Sequence, residues 1–270
     1  MAPTSWNLDL CAYAIRLVTS GRLPLAASLG PFVSSPDLCR PPDFTLTFGA
    51  RSVRPTEPPP EPDLVVETVG DEIRFRRHVA VMTAALDLRT FAAPLPDEDE
   101  LTGQPWLMLA LWAHLSRYGG LFLHGSALLI DGRLVLAVGP PDIGKSTIAR
   151  LVDESGQYAL GDENCFARLR GDAMYGYGSP WPGIVREAPA TGGPLAAVLL
   201  LRQSAQPAAR PLAPAAALRR LIPVTRFLTA LSDTVPSVLA ELGELVARVP
   251  VFDFGFAPEP RVVDDIRRLL

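Results

Sequence analysis

Residues 139–146 read GPPDIGKS, which fits G-x-x-x-x-G-K-[ST] at every specified position, and no other stretch restricts the fold as tightly. The residues before it, 134–138, form a short uninterrupted apolar run suited to a buried strand, and residues 145–154 after it continue as a helix. A strand, a tight loop and a helix start in that order aim main-chain N–H groups and the positive end of the helix dipole at one point. Lys145 stands at that point, and it is the only lysine among 25 basic side chains. In a chain that uses arginine everywhere else, a compact flexible ammonium here suits threading between phosphate oxygens, whereas a guanidinium fork suits bidentate contacts.

The pattern assigns Gly139, Pro140, Pro141, Asp142, Ile143, Gly144, Lys145, Ser146 and Thr147 to nucleotide binding, with ATP as the ligand. Lys145 bridges the terminal phosphates in this reading, and the Ser146 hydroxyl ligates Mg2+. Asp142 occupies a position where glycine is common in such loops. Its carboxylate lies close to bound phosphate unless it turns outward, although aspartate tolerates a left-handed backbone better than most residues.

The remainder of the chain arranges itself around this loop. Residues 13–18, 64–69 and 72–78 have the alternation or clustering of short strands, so residues 1–103 are expected to form a small β-containing N-terminal domain. Residues 55–62 are too rich in proline for a sheet interior, and the acidic run 97–100 reads as a solvated loop. Residues 104–270 are expected to form the second domain. Within it, 105–118 has helical spacing, 121–130 and 134–138 are strands joined by an Asp131-Gly132 turn, and a further strand ends near Asp162. Residues 195–201 suit a buried strand, 212–222 and 226–248 read as helices with Pro236 as a breaker, 249–256 as a closing strand and 262–270 as a terminal helix. The fold class is α/β.

Composition narrows the function. The length and 48% hydrophobic content support a substantial core, and a net charge of -4 with pI near 5.5 argues against nucleic acid as a partner. Cys11, Cys39 and Cys165 are too few and too scattered for a disulfide framework or a zinc site and read as reduced thiols. The first ten residues lack a basic segment followed by an apolar one, and no apolar run of about 18 residues occurs. A cytoplasmic protein with no membrane partner is the expectation.

Four ordered features between residues 121 and 270 together resemble the HPr kinase/phosphorylase family, in particular its short relatives encoded beside peptide-modification genes. They are Leu123-His124-Gly125 ahead of the loop, the loop itself, the acidic segment ALGDEN at 159–164, and the turn GSPWPG at 178–183. Residues 1–100 do not resemble the N-terminal domain of full-length members, which argues against HPr as the acceptor. The resemblance implies a P-loop core of the HPr kinase C-terminal type, and transfer of the ATP γ-phosphate to a hydroxyl, a serine of a peptide or small protein. It implies Asp162 as the base toward that hydroxyl and Glu163 as a magnesium ligand beside Ser146, with the two acids' roles exchangeable. His124 becomes a second proton carrier or a positive charge beside a carboxylate, and the family's assemblies imply a homo-oligomer.

Trp181 in the 179–183 turn reads either as a wall of the acceptor site or as an aromatic ring packed under a proline loop. Arg186, Glu187 and Arg202 are placed within reach of phosphate or acceptor, or simply in solvent. His78 and His114 need no role beyond folding. Two other functions fit the same residues: an ATP-responsive sensor or assembly factor without phosphotransfer, and a kinase for free serine or another small molecule.

Overall fold

The computed structural model describes residues 4–19, 27–34, 41–49, 64–77, 80–95, 104–181 and 192–270. The loop at 55–62, the acidic run at 97–100, Cys39, His78, Pro182, Gly183, Arg186 and Glu187 lie outside the described residues. The fold is mixed α/β. Two compact units divide the chain: residues 1–117 with 228–233, and residues 118–227 with 234–270.

The first unit is built on a seven-stranded sheet. Its strands are β1 (Thr4–Leu10), β2 (Tyr13–Thr19), β3 (Phe44–Gly49), β4 (Leu64–Val69), β5 (Glu72–Arg77), β6 (Ala80–Ala85) and β7 (Thr90–Pro94), in the order β1-β2-β3-β7-β6-β5-β4. β3 runs parallel to both β2 and β7, and the remaining pairs are antiparallel. Helix α1 (Gln104–Tyr118) brings His114 into the core, where its Nδ1 lies 2.8 Å from the Leu88 carbonyl and its ring meets Tyr13 edge-on at 4.8 Å. His114 is a packed core histidine with a hydrogen-bond partner, as a structural role requires.

The second unit grows from one long strand. β8 (Leu121–Ile130) turns through Asp131 and Gly132, both at positive φ, into β9 (Arg133–Val138). That is the backbone a two-residue hairpin needs to match strand twist, and an Asp-Gly pair supplies it. After β9 come α2 (Lys145–Glu154), β10 (Tyr158–Ala159), β11 (Asn164–Arg170), β12 (Ala173–Tyr177), β13 (Gly192–Gln203), β14 (Ala208–Pro211), α3 (Pro214–Leu221), α4 (Val235–Arg248), β15 (Val251–Phe256) and α5 (Val262–Arg267).

β8 and β13 each serve two neighbourhoods. The first half of β8 pairs with β11 and the second half with β9, while β13 pairs with β12, then in parallel with β9 and β15. Following the pairs β8-β11-β12-β13-β9-β8 closes a circuit of five strands. Ile148, Ala149 and Val152 of α2, with Val262, Val263 and Ile266 of α5, bury against one face of this sheet; Leu221, Val238, Leu242 and Leu245 of α3 and α4 bury in the cluster on the other. Each of these buried valine, leucine and isoleucine side chains contributes about 1.5–3 kcal/mol.

Four sequence expectations change here. Asp162 is not at a strand end: β10 stops at Ala159 and the acids sit on a bend before β11, because Gly161 takes φ 144°, a conformation that favours glycine. Pro236 does not break a helix but stands in the first turn of α4, where its missing N–H costs nothing. The closing strand begins at Val251 and the last helix ends at Arg267, both inside the spans read from sequence.

Candidate functional site

The loop between β9 and α2 is shaped by its own sequence. Asp142 adopts φ 60° and Gly144 φ 109°, so the aspartate does take the left-handed backbone. A Cβ at Gly144 would meet the Phe256 ring at 2.6 Å, so glycine is required by both space and conformation. Gly144 caps α2 with no side-chain hydrogen bond, and the first turn holds no acidic residue. Neither the N-cap residue nor an acid in that turn supplies a side-chain acceptor for its N–H groups, and an anion is a natural partner for them.

Lys145 is only 6% exposed. Its Nζ donates to the carbonyls of Gly139 at 3.2 Å and Pro140 at 2.7 Å, so the ammonium sits under the loop it follows. Burial holds its pKa below the ordinary lysine value, partly offset by Asp142 and Glu163 and reinforced by Arg226.

The acidic bend is tied to β8 by main-chain bonds. Leu160 N donates to Ala127 O, Ala127 N to Gly161 O and Gly125 N to Glu163 O, at 2.7, 3.1 and 3.1 Å. Between them the fully buried Ser126 places its Oγ 3.2 Å from the Lys145 carbonyl and 3.3 Å from the Asp162 carbonyl. One hydroxyl thus joins the start of α2 to the bend. Asp162 is 3% exposed and Glu163 is exposed. Gly125 is set by packing: a Cβ there would lie 2.6 Å from Val138, 2.9 Å from the Ala137 carbonyl and 3.0 Å from the Cys165 sulfur. Cys165 is a buried free thiol whose pKa burial raises, and Cys11 is likewise buried.

His124 faces the same place. Its Nδ1 lies 3.0 Å from the Glu163 carbonyl, which can only accept, and 3.4 Å from Arg226 Nη2, which can only donate, so the tautomer with Nδ1 protonated serves the first contact and the one with Nε2 protonated serves the second. Burial lowers the His124 pKa, as do the charges of Lys145 and Arg226, against a smaller opposing effect of Glu163. The imidazole is neutral at pH 7. Arg226 Nη2 is 3.4 Å from His124 Nδ1, and its guanidinium lies over the Phe122 ring at 5.4 Å.

Arg226 and Ser126 are site residues that sequence reasoning missed. Arg226 arrives through a bridge between Leu123 and Thr225 and a bond from its own N–H to the Phe122 carbonyl, a pairing of segments about a hundred residues apart with no local signature. Ser126 carried a cue, since it directly follows the His-Gly pair in a run that is otherwise apolar.

The turn at 178–181 packs beneath the acidic bend. A Cβ at Gly178 would fall 2.2 Å from the Leu160 carbonyl, and Ser179 N donates to that carbonyl at 3.0 Å. Trp181 is buried, and its Nε1 finds no hydrogen-bond partner among the described residues. Arg202 is drawn away toward Asp253, at 3.6 Å, where Arg220 also pairs at 2.6 Å.

A cleft of about 340 Å³ opens beside the loop, lined by His124, Gly139, Pro140, Pro141, Arg219 and Arg220 with neighbouring apolar residues. Trp181 is not among its walls. The structure thus brings together His124, residues 139–147, Asp162 and Glu163, all expected from sequence. No group of three or more His, Cys, Asp or Glu side chains suited to a metal occurs among the described residues. A divalent ion here would be held through phosphate oxygens with one or two protein oxygens, the manner in which Mg2+ binds, and Ser146, Asp162 and Glu163 offer those donors.

No helix among the described residues is long and apolar enough to cross a membrane. No protein-family model and no curated protein matches the chain. Among solved structures, an HPr(Ser) kinase/phosphatase from Coxiella burnetii aligns with 54% of this chain and 93% of its own at 14% identity, with a TM-score of 0.34. Similarity at that level assigns neither fold nor function.

Proposed function

We propose that the chain is an ATP-dependent phosphotransferase that moves the γ-phosphate to a hydroxyl, that of a serine in a peptide or small protein. The observation that carries this reading is the meeting of an uncapped helix start, the single buried lysine, and an acid bend fastened to that same helix start through Ser126. Phosphoryl transfer needs little covalent chemistry from the protein; it needs charge stabilisation and an oriented nucleophile.

The N–H groups of the loop and of the first turn of α2 receive the phosphates, and Lys145 exchanges its two carbonyl partners for phosphate oxygens. Mg2+ supplies neutralisation of the charge that develops on the transferring group. Asp162 accepts the proton of the attacking hydroxyl, with Glu163 exchangeable in that role. Neutral His124, in the tautomer that donates Nδ1–H to the Glu163 carbonyl and leaves Nε2 as an acceptor, is the second group able to hold that proton. The cleft at His124 admits the acceptor beside the loop.

The test is incubation with Mg2+, labelled ATP and candidate serine peptides, free serine included. Label should appear in an acceptor and should fall by about 10²–10⁴-fold with Asp162→Asn, the range of a lost general base. Undiminished transfer in that variant would remove Asp162 from the role. One observation favours a second reading, nucleotide binding without transfer: the exposed Asp142 is placed close enough to Lys145 to influence its charge, and so close to bound phosphate. ATP affinity with no phosphorylated product would select it.

A further inference from the structure

A second cleft of about 340 Å³ lies on the other side of the loop, lined by Gly144, Thr147, Gln203, Ser204, Phe256 and Ala257 with Ala205 and Pro258 at its rim. We infer that this cleft holds the nucleoside end of the bound nucleotide. The inference rests on the phosphate-binding reading above.

Polarity comes first. Lys145 Nζ points back to the carbonyls of Gly139 and Pro140, which line the cleft beside His124. A lysine in this position reaches the β- and γ-phosphates while the loop amides hold the α- and β-phosphates. The terminal phosphate therefore lies toward His124 and the acid bend. The opposite end of the chain of phosphates leaves past Thr147, and Thr147 is a wall of the second cleft.

Topology agrees. β9 is flanked by β8, which carries His124 and Ser126, and by β13, which pairs onward with β15. The second cleft is made by the ends of β13 and β15, at Gln203–Ala205 and Phe256–Pro258, on the side away from the acids. Ligands of sheets with parallel strands bind at the carboxyl ends of those strands, which is where both clefts lie.

The chemistry of the walls fits a nucleoside and little else that could be joined to a phosphate chain. No lining residue carries a charge, so neither a phosphate nor a carboxylate finds a counter-ion there. The floor is the apolar edge of Phe256, packed directly beneath Gly144, and the main polar group is the Gln203 amide, which both donates and accepts, since the Ser204 hydroxyl already donates to the Gln206 carbonyl at 2.8 Å and accepts from the Gln206 N–H at 3.2 Å. Gln203 Nε2 also stands 3.5 Å from the Asp142 carbonyl, linking the cleft to the loop. An apolar pocket of this volume with a few neutral hydrogen-bonding groups is the common form of a small-molecule site.

Calorimetric titration with Mg·ATP and with Mg·tripolyphosphate separates the two ends of the ligand. Ala205 is exposed at the rim, so Ala205→Trp fills the cleft without entering the core. The expected result is a loss of ATP affinity of at least about tenfold with tripolyphosphate affinity held within about twofold. Gln203→Ala should show the same selectivity at about threefold or more, and it decides the matter if the tryptophan variant binds neither ligand. Unchanged ATP affinity in both variants, or parallel losses for both ligands in Gln203→Ala, overturns the assignment of this cleft. A wild-type protein that binds neither ligand overturns the phosphate-loop reading itself, and this inference with it.

Discussion

Ser126→Ala removes one hydroxyl and no other contact of comparable reach, so its consequence can be worked from the geometry. The Oγ is fully buried and carries a single proton shared between the carbonyls of Lys145 and Asp162, at 3.2 and 3.3 Å. A net hydrogen bond is worth about 0.5–1.5 kcal/mol. The Lys145 carbonyl lies in the first turn of α2 and keeps its helical partner four residues on. The loss is therefore that of one shared hydrogen bond, a destabilisation of about 0.5–1.5 kcal/mol, which lowers the melting temperature by roughly 2–4 °C per kcal/mol for a chain of this size. The functional consequence is separable. Nucleotide affinity should hold within about twofold, because no phosphate ligand is touched, while transfer should slow about tenfold or more as Asp162 loses its fixed distance from the loop. Thermal melts, ATP calorimetry and single-turnover transfer measure the three quantities. A variant as stable and as fast as wild type would refute the idea that this hydroxyl couples the acid bend to the helix start.

His124→Gln tests the histidine through pH. The folded pKa of His124 is lowered, so the unfolded chain binds more protons as pH falls below the ordinary value of 6.5, and stability is lost in that direction. The variant should show a flatter fall in melting temperature below pH 6.5, and an identical pH profile in both proteins would contradict the lowered pKa. Asp142→Asn keeps a residue that tolerates φ 60° and removes one exposed charge near bound phosphate. ATP should bind up to about fivefold tighter, the effect of roughly 1 kcal/mol in a solvated site, and the gain should shrink at high salt. Equal or weaker binding in low-salt calorimetry would place that carboxylate away from the phosphates.

The parts of the fold legible in the sequence are those whose signals are local. The Asp131-Gly132 turn between two apolar runs specifies the β8–β9 hairpin, and the glycine pattern marks the loop and the helix that follows. Asp162 and Glu163 were recognisable as a pair, but Tyr158, Ala159 and Leu160 read as a strand leading into them, and only the backbone of Gly161 turns that run into a bend. Pro236 carries the same residue signal whether it ends a helix or begins one. Arg226 reaches His124 because residues 222–226 lie along β8, and no pattern within either segment announces that meeting. The second cleft escaped notice for a related reason: Gln203, Phe256 and Thr147 come from three separate elements and none bears a charge or a motif. In the first unit, β3 sits in parallel between β2 and β7, a pairing set by long-range contacts rather than by turns.

The most direct test compares the wild-type chain with Lys145→Ala in calorimetric titration with ATP and Mg2+. Removing the sole lysine deletes the one ammonium set beneath the loop and leaves its backbone intact. Saturable heat from the wild type and a loss of affinity of about 2 kcal/mol or more, roughly thirtyfold, in the variant is the predicted result. Equal affinity in the two proteins, or no binding to either, would contradict the reading of residues 139–146 as a phosphate site.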